Sequence, residues 1–384
     1  MLTSTTDLAR FPTDADRKRR RIVPSATIRT PIAMTTSPPS DRFRLAKPEL
    51  GAWRAGNTDV EGVWHFDSGR PGRHAMVAAL IHGNELCGAA AVLGLLQAGL
   101  RPARGQLTLA FCNLAAFDRF DAADGDASRF VDQDLNRQWT PERLAEGGTL
   151  ERRRARALAP WVARADWLLD LHSMHEHAPP LCLTGLFDEN VALALALGAP
   201  ADIVVDAGHK DGVRMRDFGR FGTAEGVAAG ARSLLVECGF HGDPASLDVA
   251  RDQCRRFLAA SGVIDALDLD AALPCWLGPD AAGQRVLRVT GAAVARTRDA
   301  AFVSAFQGLE TIERAGTVIG HDGEAPIVTP HDDCVLVMPS LRQALPGVTP
   351  ASCSWARPAS ARPSWPAPWP RRCSATPTGW SGWT

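Results

Sequence analysis

One five-residue string constrains this chain more than any other: Ile81-His82-Gly83-Asn84-Glu85. It closes an apolar run, Met76 to Ile81, and opens a second apolar stretch, Leu86 to Leu100. A strand ending in His-x-x-Glu, with a helix beginning at the Glu, projects two metal-capable side chains from one tight turn. Hydrolytic zinc sites commonly use two His and one carboxylate and leave the fourth position for water. The turn offers two of those three, His82 and Glu85. The third is His172, at the end of the apolar run in Leu169-Asp170-Leu171-His172-Ser173. The bare pattern recurs by chance, so its weight comes from the strand–turn–helix setting. Taken singly, each residue has a plainer reading: a turn histidine bonded to backbone, a first-turn acid favoured by the helix dipole, and a buried strand-end histidine.

A third strand-like run, Ser233-Leu234-Leu235-Val236, ends in Glu237-Cys238-Gly239. Polar residues at the ends of three separate apolar strands place a site at one edge of a sheet, where open α/β sheets bind their ligands. From about residue 58 to 265, short apolar runs alternate with helical stretches. Strands are expected at 75–81, 106–112, 166–171, 202–206 and 232–237, and helices at 85–99, 150–164, 188–197 and 244–260. This alternation indicates an α/β layer fold. From about 284 to 340 the runs Arg285–Val289, Ala325–Val328 and Cys334–Met338 are separated by Gly, Asp and Pro, the texture of a small all-β domain.

The expected organisation is therefore a disordered extension over 1–44, a zinc-hydrolase α/β domain over 45–265, a small β domain with its linker over 266–350, and a disordered tail over 351–384. The tail contains no Asp, Glu, Leu, Ile, Val, Phe or Met, yet holds five of the eleven Trp. That texture is expected of a reading frame shifted after about Val348-Thr349; a Trp-rich interaction tail is the alternative.

A chain of 384 residues can bury a substantial core. The formal net charge of −1 gives no global pull toward nucleic acid or an anionic membrane. No run of 18 apolar residues marks a membrane span, and the N-terminus lacks the apolar core of a signal peptide. The nine Cys include no CxxC pair, which argues for reduced thiols in a cytoplasmic protein and against a Cys-based metal site.

Four motifs in order, His82-Gly83-Asn84-Glu85, Asp134-Leu135-Asn136-Arg137, Asp170-Leu171-His172-Ser173 and Glu237-Cys238-Gly239, resemble those of the succinylglutamate desuccinylase/aspartoacylase family, relatives of the zinc carboxypeptidases. The resemblance covers about residues 45–348. It implies a carboxypeptidase-like mixed sheet flanked by helices and holding one zinc per chain, followed by a smaller C-terminal all-β domain. It also implies hydrolysis of the amide in an N-acyl amino acid or a similar small molecule carrying a carboxylate. On this resemblance His82, Glu85 and His172 fall on the zinc-ligand positions and Glu237 on the catalytic carboxylate. Asn136 and Arg137 fall on the pair that holds a substrate carboxylate, and Arg129 on the arginine that polarises the scissile carbonyl. A further substrate arginine upstream of Glu237 is not placed, because Arg214, Arg216, Arg220 and Arg232 all qualify. The chain has no Tyr, so any tyrosine role near the substrate is absent or filled otherwise.

Other titratable residues are read more blandly. His175-Glu176-His177 tempts as a second metal site but reads as a loop beside the first. Asp170 shares a strand face with His172 and either orients it or is a core-edge acid. His321 and His331 are expected on the surface, and Cys238 in packing. The expectation is a zinc-dependent amidohydrolase. Its rivals are a zinc carboxypeptidase acting on short peptides and an inactive product with an incomplete β domain.

Overall fold

The computed structural model describes residues 43–208, 211–294, 296–297, 299–340 and 352–359. Its strands are β1 (Val63–Asp67), β2 (His74–Ala79), β3 (Gln106–Phe111), β4 (Trp167–Met174), β5 (Leu181–Leu183), β6 (Asp202–Val205), β7 (Arg232–Phe240), β8 (Arg285–Val294), β9 (Ala300–Phe302), β10 (Thr311–Ile312), β11 (Val318–Asp322), β12 (Ala325–Val328), β13 (Cys334–Ser340) and β14 (Ser352–Pro358). Eleven of them form one mixed sheet in the order β1-β3-β2-β4-β7-β5-β6-β8-β14-β13-β10, and β12-β11-β9 form a small antiparallel sheet.

The centre of the large sheet follows from hydrophobicity. All six residues of β2 and all eight of β4 are buried, the signature of parallel strands covered on both faces. Alternate side chains of β2 then go to opposite layers. Ala75, Val77 and Ala79 join a core with the helices Leu86–Gln97, Asp188–Leu197 and Ala245–Ser261, while Met76 and Ala78 join one with the Leu150–Arg164 helix. The expected helices at 150–164 and 188–197 occur with those bounds, the other two with ends shifted by a residue or two. The Leu150–Arg164 helix starts where Thr149 accepts a hydrogen bond from the Arg152 N–H. The fold is thus mixed α/β with a small antiparallel sheet toward the C-terminus, as expected.

The structure adds to that outline. The β strands beyond residue 284 extend the main sheet, because β8 pairs in parallel with β6 through Asp202↔Arg285 to Val205↔Arg288. β1, β5, β9, β10 and β11 were not anticipated; they are short or largely polar, and they hold because a partner strand takes up their backbone groups. Residues 352–358 lie in the segment expected to be disordered, yet they pair with β8 on one side and β13 on the other. Trp355 packs there with Ile319, Cys334 and Leu336. A segment with no periodicity of its own becomes a strand when two neighbours satisfy its backbone. Apart from Phe43 and Arg44, the extension expected over 1–44 lies outside the described residues, as do Val348-Thr349 and residues 360–384. No helix among the described residues is long and apolar enough to cross a membrane.

Candidate active site

β2, β4 and β7 are parallel neighbours at the middle of the sheet, so their C-terminal ends open on one edge. At the end of β2, Leu80 adopts φ 60°, a left-handed conformation that is strained for a bulky residue. Three residues later, Gly83 is required by close approach: a Cβ there would lie 2.3 Å from the Ala116 carbonyl carbon and 2.4 Å from the Ser128 oxygen. Its N–H donates to the Arg129 carbonyl at 3.1 Å, which binds the turn to the segment carrying Arg129. Glu85 precedes the first residue of the Leu86–Gln97 helix.

His82, Glu85 and His172 come together, each buried, with ligand atoms within 4.8 Å of one another. Glu85 spans the two imidazoles: Oε1 lies 2.8 Å from His82 Nδ1 and Oε2 3.0 Å from His172 Nδ1. The far nitrogens meet carboxylates too. His82 Nε2 is 3.0 Å from Asp134 Oδ1, and His172 Nε2 is 3.1 Å from Asp170 Oδ2. A neutral imidazole carries one N–H. Flanked by two carboxylates, it sets its remaining lone pair against a negative oxygen, and only a proton or a metal cation between them relieves that contact. Glu85 Oε2 and His172 Nε2 are moreover buried without an aligned hydrogen-bond partner. Burial pushes Glu85 up, but the imidazoles of His172 and His82 outweigh it and hold the carboxyl well below the usual range. Burial lowers His172, but Asp170 and Glu85 hold it well above the ordinary value. A divalent ion fits this donor set, two nitrogens and a carboxylate, with Asp134 and Asp170 holding the imidazoles from behind.

Glu237 faces His172 across the β4–β7 register. Its Oε2 is buried with no partner. Burial raises its carboxyl to about 8, with Glu85 and Asp170 adding to the rise and His172 and Arg129 opposing it. A buried carboxyl so perturbed, beside a polar cluster, is a functional-site signature.

Arg129 reaches the same cluster. Its NH2 donates to Asp134 Oδ2 at 3.2 Å, and its NH1 lies 4.0 Å from Glu85 Oε1. Asn136 is buried and its Oδ1 accepts from the Met215 N–H at 2.9 Å, which orients the amide. Burial and the cations Arg129 and Arg214 lower Arg137 against the pull of Asp134 and Asp211. Of the four arginines left open, Arg214 is thus close enough to act on Arg137, though Asp206 at 2.8 Å and Asp217 at 2.7 Å already hold it. Arg216 is fully buried on Thr184 and Ser233, Arg220 pairs with Asp166, and Arg232 donates to the Val227 and Ala231 carbonyls.

Sequence reasoning assigned no role to two residues that build this site. Asp134 meets His82 and Arg129 and accepts from the Asn136 N–H at 2.8 Å; its signal was an Asp heading a turn. Glu151, fully buried, accepts from the N–H groups of Val131, Asp132 and Gln133 at 2.7, 3.1 and 3.1 Å and from Asn113 Nδ2 at 3.2 Å. It anchors the link between Arg129 and Asp134, although its position reads as an ordinary first-turn acid. The His175-Glu176-His177 run splits: His175 turns to Asp126 and Arg129, and His177 packs at a tilt against Phe240, ring centroids 4.2 Å apart. His331, expected at the surface, is buried against Thr290.

Residues 71–239 match the model of the succinylglutamate desuccinylase/aspartoacylase catalytic domain. This segment belongs to that family. No curated protein matches the chain. Among solved structures, the family-like fold recurs in the succinylglutamate desuccinylase of Vibrio parahaemolyticus, at 16% identity and TM-score 0.52 over 79% of this chain and 87% of that one. A product-bound ectoine utilization protein of Ruegeria pomeroyi gives 15% and 0.53 over 79% and 96%. Murine aminoacylase 3 gives 19% and 0.50 over 75% and 96%. At these identities the likeness is one of fold. The family segment spans His82, Glu85, Arg129, Asn136, Arg137, His172 and Glu237.

Proposed function

We propose that this protein is a zinc-dependent amidohydrolase that deacylates small N-acyl amino acids or related carboxylate-bearing compounds, with one zinc per chain. The observation that carries the reading is the Glu85 carboxylate set between two imidazole nitrogens, with Glu237 beside them and one of its oxygens unpartnered. His82, Glu85 and His172 would hold the ion, which supplies Lewis acidity and lowers the pKa of water to about 7.

The chain's own groups do the rest. Glu237 takes a proton from the attacking water and returns it to the departing nitrogen. Burial raises the Glu237 carboxyl above the ordinary range, which strengthens it as a proton acceptor for the attacking water. Arg129 donates to the carbonyl oxygen as negative charge grows on it. Arg137, with Asn136 beside it, takes the substrate carboxylate through its planar fork, which can donate two parallel hydrogen bonds. Arg129 and Arg137 converge on Asp134 Oδ2, at 3.2 and 4.0 Å, which supports an anionic ligand at this place. The free cysteines among the described residues suit a reducing compartment, the cytoplasm.

The test is to measure bound zinc on the purified chain and to screen acylated amino acids, dipeptides and tripeptides for release of a free amine. We expect about one zinc and turnover confined to the acylated amino acids. Turnover of the peptides alone would make the enzyme a carboxypeptidase, and a folded chain that binds no zinc would end the reading. Glu237→Gln is expected to keep its zinc and lose roughly 10²–10⁴-fold in turnover.

A further inference from the structure

We propose that Asp126 and His175 are positioning residues that hold the Arg129 guanidinium against the metal-ligand cluster. The proposal rests on the reading of Arg129 as the carbonyl-polarising group. Arg129 NH1 lies 3.0 Å from His175 Nε2, and His175 Nδ1 lies 3.0 Å from Asp126 Oδ1. A guanidinium can only donate, so Nε2 accepts and the ring's hydrogen sits on Nδ1, from where it is donated to Asp126. The chain Arg129–His175–Asp126 therefore has one consistent set of hydrogen positions. Arg129 is held on its other terminal nitrogen by Asp134 at 3.2 Å. Two of its five N–H donors are thereby used to orient the planar group, and three remain for a ligand.

The relay is braced by the sheet. The His175 ring packs edge-on against His241, centroids 4.7 Å apart, and His241 Nδ1 lies 2.7 Å from Ser173 Oγ. Ser173 follows His172 at the end of β4, and the His241 N–H donates to the Met174 carbonyl at 2.9 Å. Arg129 belongs to a separate segment, and His175 ties that segment to the strands carrying His172 and Glu237. A donor for a developing negative charge works best when it is already in place, and a misplacement of about 1 Å costs on the order of 10²-fold.

Asp126, His175 and His241 also lie close enough together, with ligand atoms within 4.8 Å, to suggest a second metal site. The hydrogen positions argue against it. With Nε2 accepting from Arg129 and Nδ1 bearing a hydrogen, His175 has no lone pair left for an ion, and the guanidinium is a cation at the same place.

The experiment uses the full chain with zinc and two variants. His175→Phe keeps the ring packing, and Asp126→Ala changes a side chain that is 45% exposed, so folding is not at stake in the second. Arg129 reactivity toward phenylglyoxal, followed by peptide mass spectrometry, is expected to rise several-fold in both, with zinc per chain unchanged. With the best substrate of the screen above, kcat is expected to fall about 10- to 100-fold with KM kept, and to fall no further when either change is added to Arg129→Ala. Unaltered Arg129 labelling in both variants overturns the relay, as does a second zinc in the wild-type chain that both variants lose, which would make the cluster a metal site. Full turnover by Arg129→Ala with labelling still raised in the two variants would leave the relay standing and remove the carbonyl-polarising role instead.

Discussion

Asp134 meets His82, a proposed zinc ligand, and Arg129, the proposed carbonyl-polarising arginine, with the same carboxylate. Burial pushes it up, yet His82 and Arg129 hold it well below the usual carboxylate range, so it stays ionised in the cluster. One oxygen receives His82 Nε2, which leaves the His82 Nδ1 lone pair on the Glu85 side, where the proposed ion would be held. Asp134→Asn keeps the shape and removes the charge. It is expected to weaken zinc binding about 10- to 100-fold, measured by competition with a chelator, with the fold intact by circular dichroism. Unchanged zinc affinity would reduce Asp134 to a turn cap. Residue by residue, the sequence singles out His82, Glu85, His172 and Glu237 as candidates because each adjoins an apolar run. Asp134 carries no such signal, because an Asp that caps a turn and one that backs an imidazole look alike in one dimension.

The segment from Arg129 to Asp134 has little regular structure, and its order comes from the first turn of the Leu150–Arg164 helix. Glu151 gathers three consecutive backbone N–H groups and one amide. Glu151→Gln turns an amide donor toward those donors, so a loss of about 2 kcal/mol or more in stability is expected, with a fall in kcat as Arg129 loosens. Urea unfolding checks the first, and a midpoint equal to wild type would show the segment to be held by other means. β2 makes a second prediction. His74 is buried, its Nε2 2.7 Å from Thr108 Oγ1, and burial with His65 nearby lowers it from 6.5 to about 4. Between those values the unfolded chain binds the proton and the folded one does not, so stability falls as pH drops from 6.5 toward 4. Above 6.5 neither state binds it and nothing is lost. The full effect is on the order of 3 kcal/mol. His74→Gln should flatten the slope of unfolding free energy between pH 7 and 5; parallel curves for the two proteins would discard the effect.

The large sheet carries its last strands on β14. That strand lies between β8 and β13, so its removal opens two edges and uncovers the cluster around Trp355. A chain stopped after residue 359 is expected to fold. A chain stopped after 351 should melt several degrees lower and aggregate on heating, and equal melting temperatures would show β14 to be dispensable. The sequence from 351 onward announced nothing of this, because Ser352–Pro358 has no apolar periodicity of its own.

The chain alone determined the apolar runs that become β2, β4 and β7, the helices between them, and the polar residues at their ends. These are local signals: burial writes its period directly into neighbouring residues. The tertiary structure alone decided which polar groups meet. His82 and Asp134 are 52 positions apart, His175 and Asp126 49, and Ser173 and His241 68. A polar side chain carries no mark of its future partner. Its hydrogen-bond roles and charge state are settled only when the folded chain puts another charge or donor about 3 Å away in the absence of water.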